Sequence, residues 1–159
     1  MKIKMLVMDV DGTLTDGKIY MGNTGEQMKA FNAKDGYAIA QMLPQMGIIP
    51  VIITGRASSI VQNRARELHI KELFQGIGDK LTTLRQVAQR YELHAEEIAY
   101  MGDDLNDLGC MRCCGLTACP KDAARELRQY VDFVSQYNGG EGAVREFIEK
   151  LWDMMQEQI

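Results

Sequence analysis

The sequence predicts an α/β fold: a Rossmann-like three-layer sandwich in which an open, mostly parallel sheet carries helices on both faces. Three observations lead there. Short apolar runs alternate with helix-like patterns along the whole chain. The clearest of these runs stop abruptly, at Asp9, at Thr54-Gly55 and at Gly102-Asp103. No internal repeat, low-complexity segment or linker interrupts the alternation, so residues 1–159 are expected to form a single domain.

The elements follow in order. Ile3 to Met8 is apolar apart from Lys4 and reads as a buried strand ending at Asp9. Asp11-Gly12-Thr13 is a turn. Between Thr15 and Phe31, Ile19-Tyr20-Met21 precedes Gly22-Asn23-Thr24-Gly25, which predicts a small β-hairpin flap. Asp35 to Met46 reads as a helix, interrupted near its end by Pro44 and closed by Gly47. Ile48 to Ile53 is a second buried strand. Ser58 to Leu68 is an amphipathic helix, and Leu73-Phe74 a short third strand. Lys80 to Tyr91 is a helix with Leu81, Leu84, Val87 and Ala88 on one face. Ile98 to Met101 is a fourth strand, Leu105 to Met111 a short helix, and Gly115 to Ala118 a fifth strand. Ala123 to Arg128 reads as a helix, Val131 to Val134 as a sixth strand, and Ala143 to Met155 as a last helix.

Composition narrows the function classes. Apolar residues make up 46% of the 159 residues and charged residues 25%, which suits a packed core rather than disorder. A net charge of -4 argues against a nucleic-acid or anionic-membrane surface. No apolar run reaches the length of a membrane span, and Met1 to Met8 is too short for a signal core. The expectation is a cytoplasmic protein. Cys110, Cys113, Cys114 and Cys119 are read as reduced thiols packing as small hydrophobes. A zinc site is the competing reading, but Cys110-x-x-Cys113 lacks a distant second pair.

In such sheets ligands bind at the carboxyl ends of the strands. Four polar clusters fall there: Asp9-Val10-Asp11-Gly12-Thr13, Thr54-Gly55-Arg56, Asp79-Lys80 and Gly102-Asp103-Asp104-Leu105-Asn106-Asp107. Taken singly, each could be capping or turn chemistry. Taken together, they suit phosphoryl transfer through a covalent carboxylate intermediate. Asp9 is placed to attack phosphorus. Asp11 can protonate the leaving oxygen and later activate water. Asp103 supplies an oxygen ligand for a hard cation such as Mg2+. Lys80, the Thr54 hydroxyl and loop N–H groups can bind the transferring group.

These four clusters resemble the motifs of the haloacid dehalogenase superfamily. The resemblance implies Asp9 as nucleophile and Asp11 as acid/base, with Mg2+ held by Asp9, the Asp11 backbone carbonyl and Asp103. Asp104 and Asp107 would support the site, with Asp107 orienting Lys80. Thr54, Gly55 and Lys80 would bind phosphate. Neither gap between the motifs has room for a cap domain. Over essentially the whole chain the sequence is similar to the 3-deoxy-D-manno-octulosonate 8-phosphate (KDO 8-phosphate) phosphatase branch. The segments that carry this are Asp16-Gly17, Lys29-Ala30-Phe31-Asn32-x-x-Asp35-Gly36, Thr54-Gly55-Arg56-x-Ser58, Arg64-Ala65-x-Glu67-Leu68 and Gly139-Gly140-x-Gly142-Ala143-Val144-Arg145-Glu146. The branch implies a homotetramer with the hairpins at its centre and a Gly-rich segment that can reach a neighbour's site. It also implies a substrate contact from Arg56, and an approach of Arg64 to the substrate or to the subunit interface, although both also fit a solvated helix face, Arg64 equally well. The related branch acting on nine-carbon keto acids tends to carry Glu after Thr-Gly, so Arg56 favours the eight-carbon sugar acid. Silent assembly domains of sialic-acid cytidylyltransferase systems also resemble this branch. They would be marked by loss of the nucleophile or a metal ligand, and here both are kept.

Overall fold

A computed structural model describes residues 2–157. Its centre is a six-stranded sheet. The strands are β1 (Met5–Met8), β4 (Ile49–Ile53), β5 (Glu72–Phe74), β6 (Ile98–Met101), β7 (Leu116–Cys119) and β8 (Phe133–Val134). Their order across the sheet is β5-β4-β1-β6-β7-β8, and every pairing is parallel. β1 therefore lies between β4 and β6, where the strand order reverses. That switch point is where a doubly wound sheet opens a crevice. The antiparallel pair β2 (Tyr20–Gly22) and β3 (Gly25–Met28) forms the expected hairpin as a separate two-stranded sheet.

The two-residue period of the strands sorts the core onto two faces. Leu6 and Met8, with Ile52, Ala99 and Met101, face α1 (Ala33–Tyr37), α2 (Leu43–Met46), α3 (Ser59–Glu67) and α7 (Ala143–Gln156). Met5 and Val7, with Val51, Ile53, Ile98 and Tyr100, face α4 (Lys80–Arg90), α5 (Leu108–Met111) and α6 (Arg125–Tyr130). Strands buried on both sides need continuous apolar sequence, which β1 and β6 have.

Several boundaries differ from the sequence reading, each for a local reason. The predicted Asp35–Met46 helix starts earlier, at Ala33, because the Asn32 side chain accepts from the Lys34 and Asp35 amides. Its middle, Ala38–Met42, is a π-helical stretch with Leu43 N–H donating to Ala38 O. The wider turn accommodates Pro44, which has no N–H to give and would otherwise crowd the preceding turn. The helix expected at Ala123–Arg128 begins at Arg125, since the Ala124 amide is drawn to Asp103 O at 2.8 Å. The predicted Val131–Val134 strand shortens to Phe133–Val134. Its Asp132 carboxylate instead accepts from the Thr117 amide and hydroxyl, both at 2.8 Å. The Leu105–Met111 helix opens as a 3-10 turn over Leu105–Asp107.

Cys110 and Cys119 are buried in the core beside α4, and Cys113 and Cys114 are half-buried. All four are free thiols. Burial pushes Cys110 up to about 11 and Cys114 and Cys119 to about 12, so these three stay protonated and unreactive near neutral pH. Among the described residues no helix is long and apolar enough to cross a membrane.

Candidate active site

Four strand ends build one cleft. It is lined by Asp9, Asp11, Thr54, Gly55, Arg56, Asp103, Asp104 and Asn106. Asp9 stands one residue past β1, with its amide bonded to Met101 O at 3.2 Å. Thr54 stands one residue past β4. Its amide donates to Phe74 O at 2.9 Å, and its carbonyl accepts from the Ile77 amide at 3.1 Å. These ladder-like bonds fix both side chains at the rim of the sheet.

Lys80 arrives from below. Asp79 caps α4, accepting from the Thr82 amide at 3.1 Å and the Thr82 hydroxyl at 2.6 Å, which sets Lys80 as the first helical residue. The Lys80 ammonium is buried between Asp107 Oδ1 at 2.9 Å and Asp9 Oδ1 at 3.1 Å. Burial works to lower its pKa, but Asp107 and Asp9 outweigh it and hold the ammonium charged.

Asp107 is wholly buried and fully used. Oδ1 also accepts the Tyr100 hydroxyl at 2.7 Å, while Oδ2 accepts the Asp103 amide at 3.2 Å and the Asp104 amide at 3.5 Å. The same carboxylate therefore orients Lys80 and folds the loop that presents Asp103. Asp104 caps the 3-10 turn, accepting from the Leu105 amide at 2.8 Å.

Carboxylate oxygens of Asp9, Asp103 and Asp107 lie within 4.8 Å of one another. With Asp107 already saturated, Asp9 and Asp103 are the two with oxygens to spare. Burial, then the Asp107 charge, raises the pKa of Asp9, with Lys80 pulling the other way. Burial, then Asp9 and Asp107, pushes Asp103 up to about 8. Three carboxylates sharing one lysine are short of positive charge, and an oxygen-ligated divalent cation supplies what is missing. Asp103 is also fitted to the first motif. Thr13 donates to it at 3.3 Å, and Gly12, at φ +90°, approaches so closely that a Cβ there would lie 1.9 Å from Asp103 Oδ2. Only glycine satisfies both conditions.

The second motif carboxylate, Asp11, is partly exposed and bonded through Oδ1 to Lys29 Nζ at 2.5 Å. Arg56 stands half-exposed at the rim, 4.0 Å from Asp11 Oδ2. The sequence reading therefore places Asp9, Asp11, Thr54, Gly55, Arg56, Lys80, Asp103, Asp104 and Asp107 in or directly under one cleft.

Arg64 does not join them. It packs over Phe31 at 5.4 Å, donates to Asn32 O at 3.4 Å and pairs with Glu67 at 3.3 Å, deep between α1 and α3. Arg145 is also elsewhere, paired with Glu149 at 2.6 Å. The Gly-rich run packs within its own chain. Gly140 N–H donates to Thr13 O at 3.2 Å, and a Cβ on Gly139 would meet Gly12 O at 1.9 Å. Sequence reasoning missed Lys29 and Glu26 as site neighbours. The available signal was Lys29 at the head of the Lys29-Ala30-Phe31-Asn32 segment.

Comparison with known proteins places the chain in a family. A family model of haloacid dehalogenase-like hydrolases matches residues 71–148. The chain is 43% identical over 149 residues to the 3-deoxy-D-manno-octulosonate 8-phosphate phosphatase of Escherichia coli K12, covering 94% of this chain and 79% of that one. The chain belongs to the KDO 8-phosphate phosphatase family. Crystal structures of two family members superpose closely. The Yersinia pestis phosphatase has a TM-score of 0.90 at 42% identity, covering 94% of this chain and 80% of that one. The Moraxella catarrhalis phosphatase, solved with a magnesium ion, a phosphate ion and KDO, has a TM-score of 0.90 at 41% identity, covering 95% of this chain and 86% of that one. Among the described residues no cap domain is inserted: the first gap holds the hairpin, the helical run from α1 to α2 and β4, and α4, a 3-10 turn and β6 fill the stretch from Lys80 to Gly102.

Proposed function

We propose that this protein is a phosphatase that hydrolyses KDO 8-phosphate to KDO and inorganic phosphate through an aspartyl-phosphate on Asp9. The observation that carries the reading is the convergence of Asp9, Asp11, Thr54, Lys80 and Asp103 from four strand ends on one cleft. Asp9 attacks phosphorus as the bond to the sugar C8 oxygen breaks, and Asp11 gives that oxygen a proton. Asp11 then takes a proton from water, whose oxygen attacks phosphorus and releases Asp9. Lys80 and the Thr54 hydroxyl bind the equatorial oxygens. Asp9, Asp103 and the Asp11 backbone carbonyl would hold Mg2+, which would supply charge neutralisation for the transferring group. Asp104 and Asp107 keep the Asp103 loop and Lys80 in place.

Arg56 suits the sugar-acid carboxylate, since a guanidinium pairs with it by two parallel hydrogen bonds. The partner is a small anionic sugar acid, not nucleic acid or membrane. The hairpin exposes Ile19, Tyr20, Met21 and Met28, which supports a homotetramer assembled through it. Cytoplasmic residence and a place in lipopolysaccharide inner-core supply are part of the same reading, supported by the family and by four reduced cysteines.

The deciding experiment is phosphate release with Mg2+ from KDO 8-phosphate and from a nine-carbon keto acid 9-phosphate, with Asp9→Asn as the blank. Strong preference for the eight-carbon ester, lost in Asp9→Asn, is expected. Preference for the nine-carbon ester would keep the chemistry and overturn the assignment of Arg56. No turnover by folded, Mg2+-loaded protein would sink the phosphatase reading.

A further inference from the structure

The hairpin contributes charges to the cleft as well as an edge. Lys29 follows β3, and its side chain is 1% exposed despite carrying a charge. Its Nζ lies 2.5 Å from Asp11 Oδ1 and 3.0 Å from Glu26 Oε2. Arg56 closes the circuit, 3.7 Å from Glu26 Oε2 and 4.0 Å from Asp11 Oδ2. Four charges of alternating sign thus form a ring that ties together the loop after β1, the hairpin and the loop after β4.

The links are unequal. Both contacts of Lys29 are tight, whereas both contacts of Arg56 are long, and its side chain is 50% exposed. A buried ammonium with two carboxylates has little freedom, because leaving either one costs desolvation that water cannot restore. A half-exposed guanidinium at about 4 Å is held weakly and can turn to another anion. Asp11, a lining residue of the cleft, is therefore gripped through Oδ1, while the ion-pair contact of Oδ2 is the long one to Arg56.

We propose that Lys29 is a positioning residue for Asp11. It pins one carboxylate oxygen so that the other points at the bridging oxygen of the ester. Glu26 holds Lys29 in place when Arg56 turns to the substrate. The hairpin is on this account a working part of the acid/base machinery. The inference rests on the phosphatase reading of Asp9 and Asp11.

General-acid help matters for a poor leaving group and hardly at all for a good one. The test is kcat/KM, which reports steps through departure of the leaving group, measured on two esters. One is the sugar phosphate that the wild type turns over best, with an alkoxide leaving group. The other is p-nitrophenyl phosphate, which needs no proton. Lys29→Met is expected to lose about 100-fold on the sugar phosphate and less than about threefold on the aryl ester. Glu26→Gln, which leaves Lys29 in place, is expected to show a smaller loss with the same selectivity, and it decides the matter if Lys29→Met does not fold. Equal losses on both esters, or none on either, would overturn the role of Lys29 while leaving the phosphatase reading intact. Failure of the wild type on both esters would instead remove the phosphatase reading and this inference with it.

Discussion

Asp35 is buried and Asp103 half-buried, and both carboxylates have their ionisation pushed upward, to about 6 and about 8 respectively, yet their surroundings differ in kind. Around Asp103 the loop is well bonded through Asp107 but the charge does not balance, since among the described residues Lys80 is the one cation paired with Asp9 and Asp107. Around Asp35 two arginine charges stand near, but the hydrogen bonds are incomplete. Asp35 Oδ1 accepts the Arg145 amide at 2.8 Å, tying α1 to the first turn of α7, with the Arg64 and Arg145 charges nearby. Its Oδ2 and Arg64 Nε are the buried polar side-chain atoms without a partner among the described residues, and both residues line one small cavity. An excess of like charge in a tightly bonded frame is a demand for a ligand cation. A buried carboxylate and a nearby guanidinium that both miss hydrogen bonds are a structural compromise.

The largest expected effect falls on the frame around Asp103. Asp107→Asn leaves Lys80 with half its charge partners and sets an NH2 group against the Asp103 or Lys80 donors. A loss of about 3–5 kcal/mol in denaturant unfolding is expected. A fall of about 100-fold in kcat is expected with it, as Lys80 loses its aim. A variant with wild-type kcat would show that Lys80 needs only Asp9.

Next in size is the response to the cation. Mg2+ should raise the melting temperature of the wild type by mass action, and chelation should reverse it. Asp103→Asn should abolish that rise while leaving the metal-free protein at least as stable as the wild type, because a repelling carboxylate has gone. A metal-dependent rise that survived Asp103→Asn would move the cation elsewhere.

The smallest effect is at Asp35. Its folded pKa of about 6 lies above the ordinary 3.8, chiefly through burial. The native state therefore holds the proton more tightly than the unfolded chain. The stabilisation is full below the ordinary value and is lost as pH rises through about 6, amounting to roughly 2–3 kcal/mol. Asp35→Asn removes that slope, so its stability relative to the wild type should improve between about pH 4.5 and about pH 7.5 in urea unfolding. Parallel stability curves would mean that Asp35 ionises as an ordinary carboxylate.

Much of the cleft was legible because strand ends announce themselves. An apolar run that stops at Asp9, at Thr54 or at Gly102 gives both the element and the polar residue at its tip. Arg64 shows the opposite case. The family likeness put it with Arg56, but Val61, Ala65 and Leu68 are the buried face of α3, and Arg64 sits one turn from Val61 and Leu68 on that same face. A helical wheel pointed inward, where the guanidinium is found. Lys29 was marked only by its place at the head of the Lys29-Ala30-Phe31-Asn32 segment, and Glu26 not at all, because no period in the sequence says which loop a hairpin leans on. Pro44 signalled a disturbance in its helix, but the π-helical turn that absorbs it lies upstream, at Ala38–Met42. Propensity identifies the offending residue more readily than the place where the backbone yields.

The closeness of Gly139 and Gly140 to the first motif has a consequence for folding. The loop that carries Asp9 and Asp11 is backed by residues far from it along the chain, Gly140 on Thr13 and Gly139 on Gly12. β1 likewise waits for β4 and then β6 before it has both neighbours. The cleft therefore rests on long-range contacts, and a short stretch of chain around Asp9 has by itself none of the support that holds it in place.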